Sequence, residues 1–156
     1  MKVIIRLMHV EEFDLLEMFL YEAIFQPTQK KAPFSIIYEK HLYQYIENFG
    51  VKEHDICYCA QVENDIIGAV WVRETNRECS ETDVVLEFSI SMLQHYRNKG
   101  IGRQLMETMI EHIKNQGYKK AILSVQQQNY ALKLYKELGF YQVDQHDQEI
   151  IMMKKL

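Results

Sequence analysis

An α+β fold, a mixed β-sheet with helices packed on it, is what this sequence predicts. Three observations lead there. Apolar residues recur with a period of two in some segments and near 3.6 in others. The segments alternate in the order β-α-α-β-β-β-α-β-α-β-β, about seven strands in all. That order is neither the regular βα alternation of a doubly wound sheet nor an all-β sandwich. With 156 residues, 47% of them hydrophobic, the chain suits one domain that can bury a substantial core.

The elements follow in order. "KVIIRLM" reads as a strand. "EEFDLLEMFLYEAIF" places Phe13, Leu16, Leu20 and Ala23/Ile24 at helical spacing, with acids at its start. Pro27 and Pro33, in "QPTQKKAP", mark a loop. Tyr38, Leu42, Tyr45/Ile46 and Phe49 predict a second helix, with Gly50 placed for a left-handed cap. "DICYCAQVENDIIGAVWVRE" reads as a hairpin turning at Asn64-Asp65. "DVVLEFSISM" alternates: Val84, Leu86, Phe88, Ile90 and Met92 on one face, Val85, Glu87, Ser89 and Ser91 on the other. Ile101, Leu105, Met109 and Ile113 then form a helical stripe that Gly117 ends. "KKAILSV" is a strand. "YALKLYKELGF" is a helix stopped by Gly139, and "FYQVD" and "EIIMMKK" are closing strands.

Composition excludes several function classes. The net charge of −4 gives no general attraction to nucleic acid or to an anionic membrane, so any anion site must be local. The apolar runs fall short of the roughly 20 residues a membrane span needs. "MKVIIRLMHVEEFD" lacks a signal-peptide pattern, and a cytoplasmic location is expected. The odd cysteine count, Cys57, Cys59 and Cys79, argues against a disulfide framework. Cys57 and Cys59 read as small buried hydrophobes on one strand face. The six histidines are scattered without paired spacing, and no metal site is expected.

One stretch carries chemistry. Arg97-Asn98-Lys99-Gly100-Ile101-Gly102, followed by Arg103, lies at the mouth of the third helix. The first N–H groups of a helix lack internal partners and, with the aligned peptide dipoles, suit a phosphate. Glycines let the backbone approach it closely, and the basic side chains add charge. Two other phosphate loops are excluded. Gly102 is followed by Arg103-Gln104 rather than the Lys-Ser/Thr of a P-loop, and position 105 is Leu rather than the third glycine of a dinucleotide fingerprint.

From Val84 to Phe140 the sequence resembles the Gcn5-related N-acetyltransferase (GNAT) superfamily. The alternating strand ending Ile90-Ser91-Met92, the loop matching Q/R-x-x-G-x-G/A, and "LSVQQQNYALKLYKELGF" occur in the family's order. Gln94 stands where a Pro is common and Asn98 where Gly is usual. Asn129 precedes Tyr135 by six residues rather than the commoner seven. The resemblance implies a single GNAT domain over residues 1–156, helices on both sheet faces, and a splayed strand pair holding acetyl-CoA. It implies that backbone N–H groups of residues 98 to 102, with Arg97 and Arg103, hold the pyrophosphate. The edge at Ile90, Ser91 and Met92 would pair with the pantetheine arm, and Asn129 would contact the cofactor. Tyr135 would stand near the thioester sulfur.

Acetyl transfer to an amine needs a proton acceptor, oxyanion donors and a proton for the departing thiolate. Tyr135, a phenol of ordinary pKa near 10, suits the last role. Glu87, on the polar face of the strand, is the candidate base, with Ser89 as a water relay and a backbone N–H near Met92 for the oxyanion. The acceptor pocket is expected from Tyr21, Glu22, Phe25, Phe34 and Tyr38, with Trp71 and Arg73 from the hairpin; an aromatic pocket with acids suits a cationic amine. The expected reaction moves an acetyl group from acetyl-CoA to a primary amine of a small molecule or peptide, with no nucleic acid or membrane partner and a homodimer as a compatible assembly. The alternative is a non-catalytic acyl-CoA sensor or complex subunit.

Overall fold

The computed structural model describes residues 1–24, 31–75 and 83–156. Phe25 and Cys79, both singled out above, lie outside them. Seven strands form one sheet: β1 (Val3–Leu7), β2 (Ile56–Val62), β3 (Asp65–Glu74), β4 (Val85–Met92), β5 (Lys120–Gln126), β6 (Tyr141–His146) and β7 (Glu149–Lys155). Their spatial order is β1-β2-β3-β4-β5-β7-β6. Every neighbouring pair is antiparallel except β4 and β5, which are parallel. The helices are α1 (Leu16–Ala23), α2 (Lys40–Tyr43), α3 (Ile101–Asn115) and α4 (Ala131–Glu137). The expected element order and sheet class therefore stand.

Strand alternation divides the core into two layers. Val70, Val72, Leu86 and Phe88 face α3 and α4, where Leu105, Met106, Met109, Tyr135 and Phe140 pack. Ala69, Trp71, Cys57 and Cys59 face the other way, against Leu16, Phe19 and Leu20 of α1 and against Ile37 and Ile46. Cys57 and Cys59 are buried thiols with no disulfide. Helices thus cover both faces, as the resemblance implies.

Two local expectations are corrected. The hairpin turn falls one residue earlier than expected: Val62 pairs with Asp65, and Glu63 takes the left-handed φ of 54°. The second helix does not run from Tyr38 to Phe49. A 3-10 turn spans Phe34–Tyr38, Glu39 is extended, and α2 lasts four residues. The reason is tertiary. The Tyr45 carbonyl accepts from Trp71 Nε1 at 3.1 Å, and the Gln44 carbonyl accepts from Arg73 Nη1 at 2.9 Å. Both oxygens are drawn toward the sheet, and the chain closes through turns to Asn48 and Gly50, both at positive φ.

These bonds also define the setting of Trp71 and Arg73, read above with the acceptor pocket. Trp71 is 1% exposed and belongs to the core. Arg73 donates through Nε and Nη2 to the two oxygens of Asp55, at 2.9 and 2.8 Å, and its guanidinium lies 5.3 Å from the Phe49 ring centroid. Asp55 also accepts from the Gly50 and Lys52 N–H groups. Both side chains touch a small cavity of about 300 Å³, but their polar groups are committed within the fold. Removing one partner of a buried pair strands the other charge. Asp55→Ala is therefore expected to lower unfolding free energy by about 3–5 kcal/mol in urea titration. A loss below about 1 kcal/mol would demote the pair to the level of a surface contact.

Candidate active site

The site begins where β4 and β5 part. Three rungs join them: Val85 with Lys120, Leu86 with Ala121, and Glu87 with Ile122. Beyond Glu87 each strand stays with its other neighbour. β4 remains paired to β3 as far as Met92, and β5 remains paired to β7 as far as Gln126. The sheet opens as a V with Glu87 and Ile122 at its vertex.

Antiparallel pairing alternates, so every second residue of β4 directs its backbone groups at β3. Leu93 N–H bonds the Ile67 carbonyl and Thr75 N–H bonds that of Val85, which assigns Glu87, Ser89 and Ser91 to β3. Phe88, Ile90 and Met92 therefore turn their N–H and C=O groups into the V. The Met92 carbonyl is taken by Arg97 Nε at 3.0 Å. The Met92 N–H and both groups of Ile90 remain as the edge that an extended amide chain or an oxyanion could meet. Ser91 contributes no edge: its hydroxyl donates to the Phe19 carbonyl at 2.6 Å and ties β4 to α1.

The loop after β4 leads into α3. Asn98 has φ 62° and Gly100 φ 82°, both left-handed. Gly100 is the N-cap, and without a side chain it leaves the first turn of α3 uncapped. A Cβ added at Gly100 or Gly102 would meet nothing within 4 Å. No neighbour in the fold requires a glycine at 102. Its effect is to keep the helix mouth open. Ile101 is 2% exposed in the core and offers only its backbone, while Lys99 is exposed.

Both loop arginines have carboxylate partners. Arg97 Nη2 donates to Glu22 Oε2 at 2.9 Å, and Arg103 pairs with Glu137. Glu22, read above with the acceptor pocket, therefore lies against the loop. These residues line a cavity of about 720 Å³ with Lys31, Tyr96 and Lys133, none of which the sequence reading had named. Tyr21 lines it too, with its hydroxyl on the Ala32 carbonyl at 2.5 Å and its ring against Phe34. Phe34 and Tyr38 are themselves largely exposed.

An adjoining cavity of about 400 Å³ occupies the V, and the two share Ala23, Ile24, Ile90, Asn129 and Tyr135 in their walls. Asn129 Oδ1 accepts the Ala131 N–H at 2.9 Å at the start of α4, which leaves its NH₂ to offer. Tyr135 is 8% exposed, with its ring edge-on to Phe140. Burial pushes its phenol up to about 12, with a smaller contribution from Tyr130. It is therefore a neutral hydroxyl at pH 7. Glu87 lines the V, is 8% exposed, and accepts the Thr75 hydroxyl at 2.8 Å. It is not a solvent-facing surface residue. The alternation that placed it opposite Leu86 and Phe88 runs unbroken along β4.

This arrangement combines an uncapped helix start flanked by cations, a β-edge without a partner strand, a buried phenol and a buried carboxylate. Residues 20–140 match the acetyltransferase (GNAT) family, and the chain belongs to that family. The fold is similar to the PaiA N-acetyltransferase from Thermoplasma acidophilum solved with coenzyme A, at 20% identity over 100% of both chains and a TM-score of 0.73. It is similar to a GNAT acetyltransferase from Streptococcus pneumoniae, at 19% identity over 99% of this chain and 100% of that one, TM-score 0.72. A GNAT acetyltransferase from Elizabethkingia anophelis with acetyl-CoA bound aligns at 20% identity over 99% and 98% of the two chains, TM-score 0.65. No curated protein sequence is a match. Among the described residues, no helix is long and apolar enough to cross a membrane, and no group of three or more His, Cys, Asp or Glu could hold a metal ion.

The two loop glycines should respond oppositely to alanine. Gly100→Ala forces a Cβ into left-handed backbone and should cost about 1–2 kcal/mol. Gly102→Ala should be neutral or stabilise by up to about 1 kcal/mol, since helical backbone prefers alanine and the space is open. Paired thermal melts check this. A destabilised Gly102→Ala would mean that its glycine serves the fold.

Proposed function

We propose that residues 1–156 form one N-acetyltransferase domain that transfers acetyl from acetyl-CoA directly to a primary amine of a small molecule or peptide. The observation that carries this reading is the three-rung V, with the Ile90 and Met92 edge beside the glycine-opened start of α3. An extended amide-bearing arm that ends in a pyrophosphate fits a β-edge followed by a helix N-terminus. The CoA-bound neighbours support the same ligand.

Acetyl-CoA supplies a thioester carbonyl open to attack by an amine. The open first turn of α3 and the N–H groups around Asn98 to Gly102 bind the pyrophosphate, with Lys31 and Lys133 adding charge. Arg97 and Arg103 can exchange their carboxylate partners for phosphate oxygens. Ile90 holds the arm through backbone bonds. The Met92 N–H lies where charge builds on the carbonyl oxygen, and a preorganised donor there is worth several kcal/mol. Glu87, or a water on it, takes the amine proton. Tyr135 gives its proton to the leaving sulfur, a direction its raised pKa permits because the phenol stays protonated through the neutral range. Asn129 offers its NH₂ beside the arm.

Released thiol, followed over polyamines, amino acids, aminoglycosides and peptide N-termini, tests the activity. Coenzyme A binding without turnover on any of these would favour an acyl-CoA sensor instead. Gly102→Glu should weaken coenzyme A binding by at least about tenfold in calorimetry, and an unchanged affinity would remove the cradle assignment. Tyr135→Phe should lower kcat and leave the affinity for acetyl-CoA nearly intact. Glu87→Gln should slow the reaction by roughly 10²–10⁴ at neutral pH. Its rate should recover partly at high pH, where free amine is abundant. A pH–rate profile matching wild type would leave the proton to another acceptor.

A further inference from the structure

The fold brings each arginine of the loop a carboxylate from elsewhere in the chain. Arg97 Nη2 donates to Glu22 Oε2 at 2.9 Å, across 75 residues of sequence. Arg103 pairs with Glu137 of α4. The two pairs differ in setting. The side chains of Arg103 and Glu137 are 43% and 45% exposed, those of Arg97 and Glu22 33% and 23%. The Arg97 pair is also held at both ends. Arg97 Nε donates to the Met92 carbonyl at 3.0 Å, and the helix that carries Glu22 accepts from Ser91 Oγ at its Phe19 carbonyl, at 2.6 Å. Phe19 and Glu22 are one helical turn apart, and Ser91 and Met92 are consecutive. The contacts therefore close a ring from Met92 through Arg97, Glu22 and Phe19 back to Ser91.

Glu22 and Glu137 are the carboxylates among the described lining residues of the larger cavity, whose cations are Lys31, Arg97, Arg103 and Lys133. A carboxylate there works against a phosphate twice over. It occupies the guanidinium donors, and it repels the incoming anion at short range. Glu22 is fixed in place by the ring of contacts, so it does not swing aside freely as a long surface side chain does. An anion that reaches only the loop must displace it with nothing gained elsewhere. A ligand with an amide arm also meets the backbone edge at Ile90 and Met92, which lines the same cavity.

We infer that Glu22 is a specificity-determining residue of the cofactor site: it competes with phosphate for Arg97, so that free pyrophosphate is turned away and a pyrophosphate joined to an extended arm is held. This rests on the coenzyme A reading above. The competition lowers the affinity of every phosphate ligand by a similar factor, and the arm restores binding to coenzyme A alone. Glu137, in its more exposed pair, contributes less, because solvent screens that contact and its side chains are freer to part.

Calorimetry with coenzyme A and with inorganic pyrophosphate, at one fixed ionic strength, tests this. Wild-type protein should bind coenzyme A far more tightly than pyrophosphate. Glu22→Gln, checked for folding by thermal melt, should bind both ligands more tightly, by about fivefold or more. Glu22→Ala, which also removes the side chain, should act in the same direction. Glu137→Gln should tighten both by about twofold or less. A carboxylate that merely orients Arg97 for phosphate predicts the opposite sign, a loss of affinity in Glu22→Gln. If either Glu22 variant weakens or leaves unchanged the binding of pyrophosphate, if Glu137→Gln matches Glu22→Gln, or if pyrophosphate rivals coenzyme A on wild-type protein, this inference fails while the coenzyme A reading stands. If coenzyme A binds neither wild type nor variant, both fail together.

Discussion

The length of one parallel strand pairing sets the site. β4 and β5 share three rungs and then separate, because each is held more extensively on its outer side. β4 keeps seven register positions with β3, and β5 keeps seven with β7. A fourth parallel rung would close the gap and give the Phe88 backbone a partner within the sheet. Its absence leaves an unpaired edge inside the molecule, where it cannot serve as a template for another chain as an outer edge would. Both the backbone donors for a ligand and the space for it come from that one interruption.

An interrupted sheet needs fastening elsewhere, and the two faces achieve this differently. On the α3 and α4 side the contacts are mostly apolar, from Leu105, Met106 and Met109 against Val70, Val72 and Leu86, with a Tyr58–His112 hydrogen bond at 2.9 Å between β2 and α3. On the α1 side, polar bonds fix the position. Ser91 holds the Phe19 carbonyl, Arg97 bridges the Met92 carbonyl to Glu22, and Arg73 joins Asp55 to the Gln44 carbonyl. Such bonds are directional and costly to leave half made, so they specify one placement of α1 and of the turn after α2. The bridge at Arg97 also links the loop to the helix that walls both cavities. A ligand that drew Arg97 away from Glu22 would loosen a contact of α1.

The two buried ionisable side chains at the V have different surroundings. Tyr135 sits in an apolar shell with Phe140, and desolvation keeps its proton in place. Glu87 lies on the opposite face of the sheet, beside the Thr75 hydroxyl. The opening of the V lets both line the same cavity.

Much of this was legible in the sequence, where the physics is local. The strand alternation of Val84 to Met92 placed Glu87 opposite Leu86 because side chains alternate along any strand, and no bulge intervenes between β3 and β4. The start of α3 at Gly100 was legible because left-handed backbone selects glycine. The tertiary structure decided what depends on partners distant in the chain. The bonds of Trp71 and Arg73 to Tyr45, Gln44 and Asp55 join segments far apart in the chain, and those to the Tyr45 and Gln44 carbonyls ended the second helix early. Glu22 could not be joined to Arg97 from sequence alone. Their pairing follows from the seat of α1 on β4, where Ser91 holds the Phe19 carbonyl, and a placement of that kind is written in no short stretch of residues.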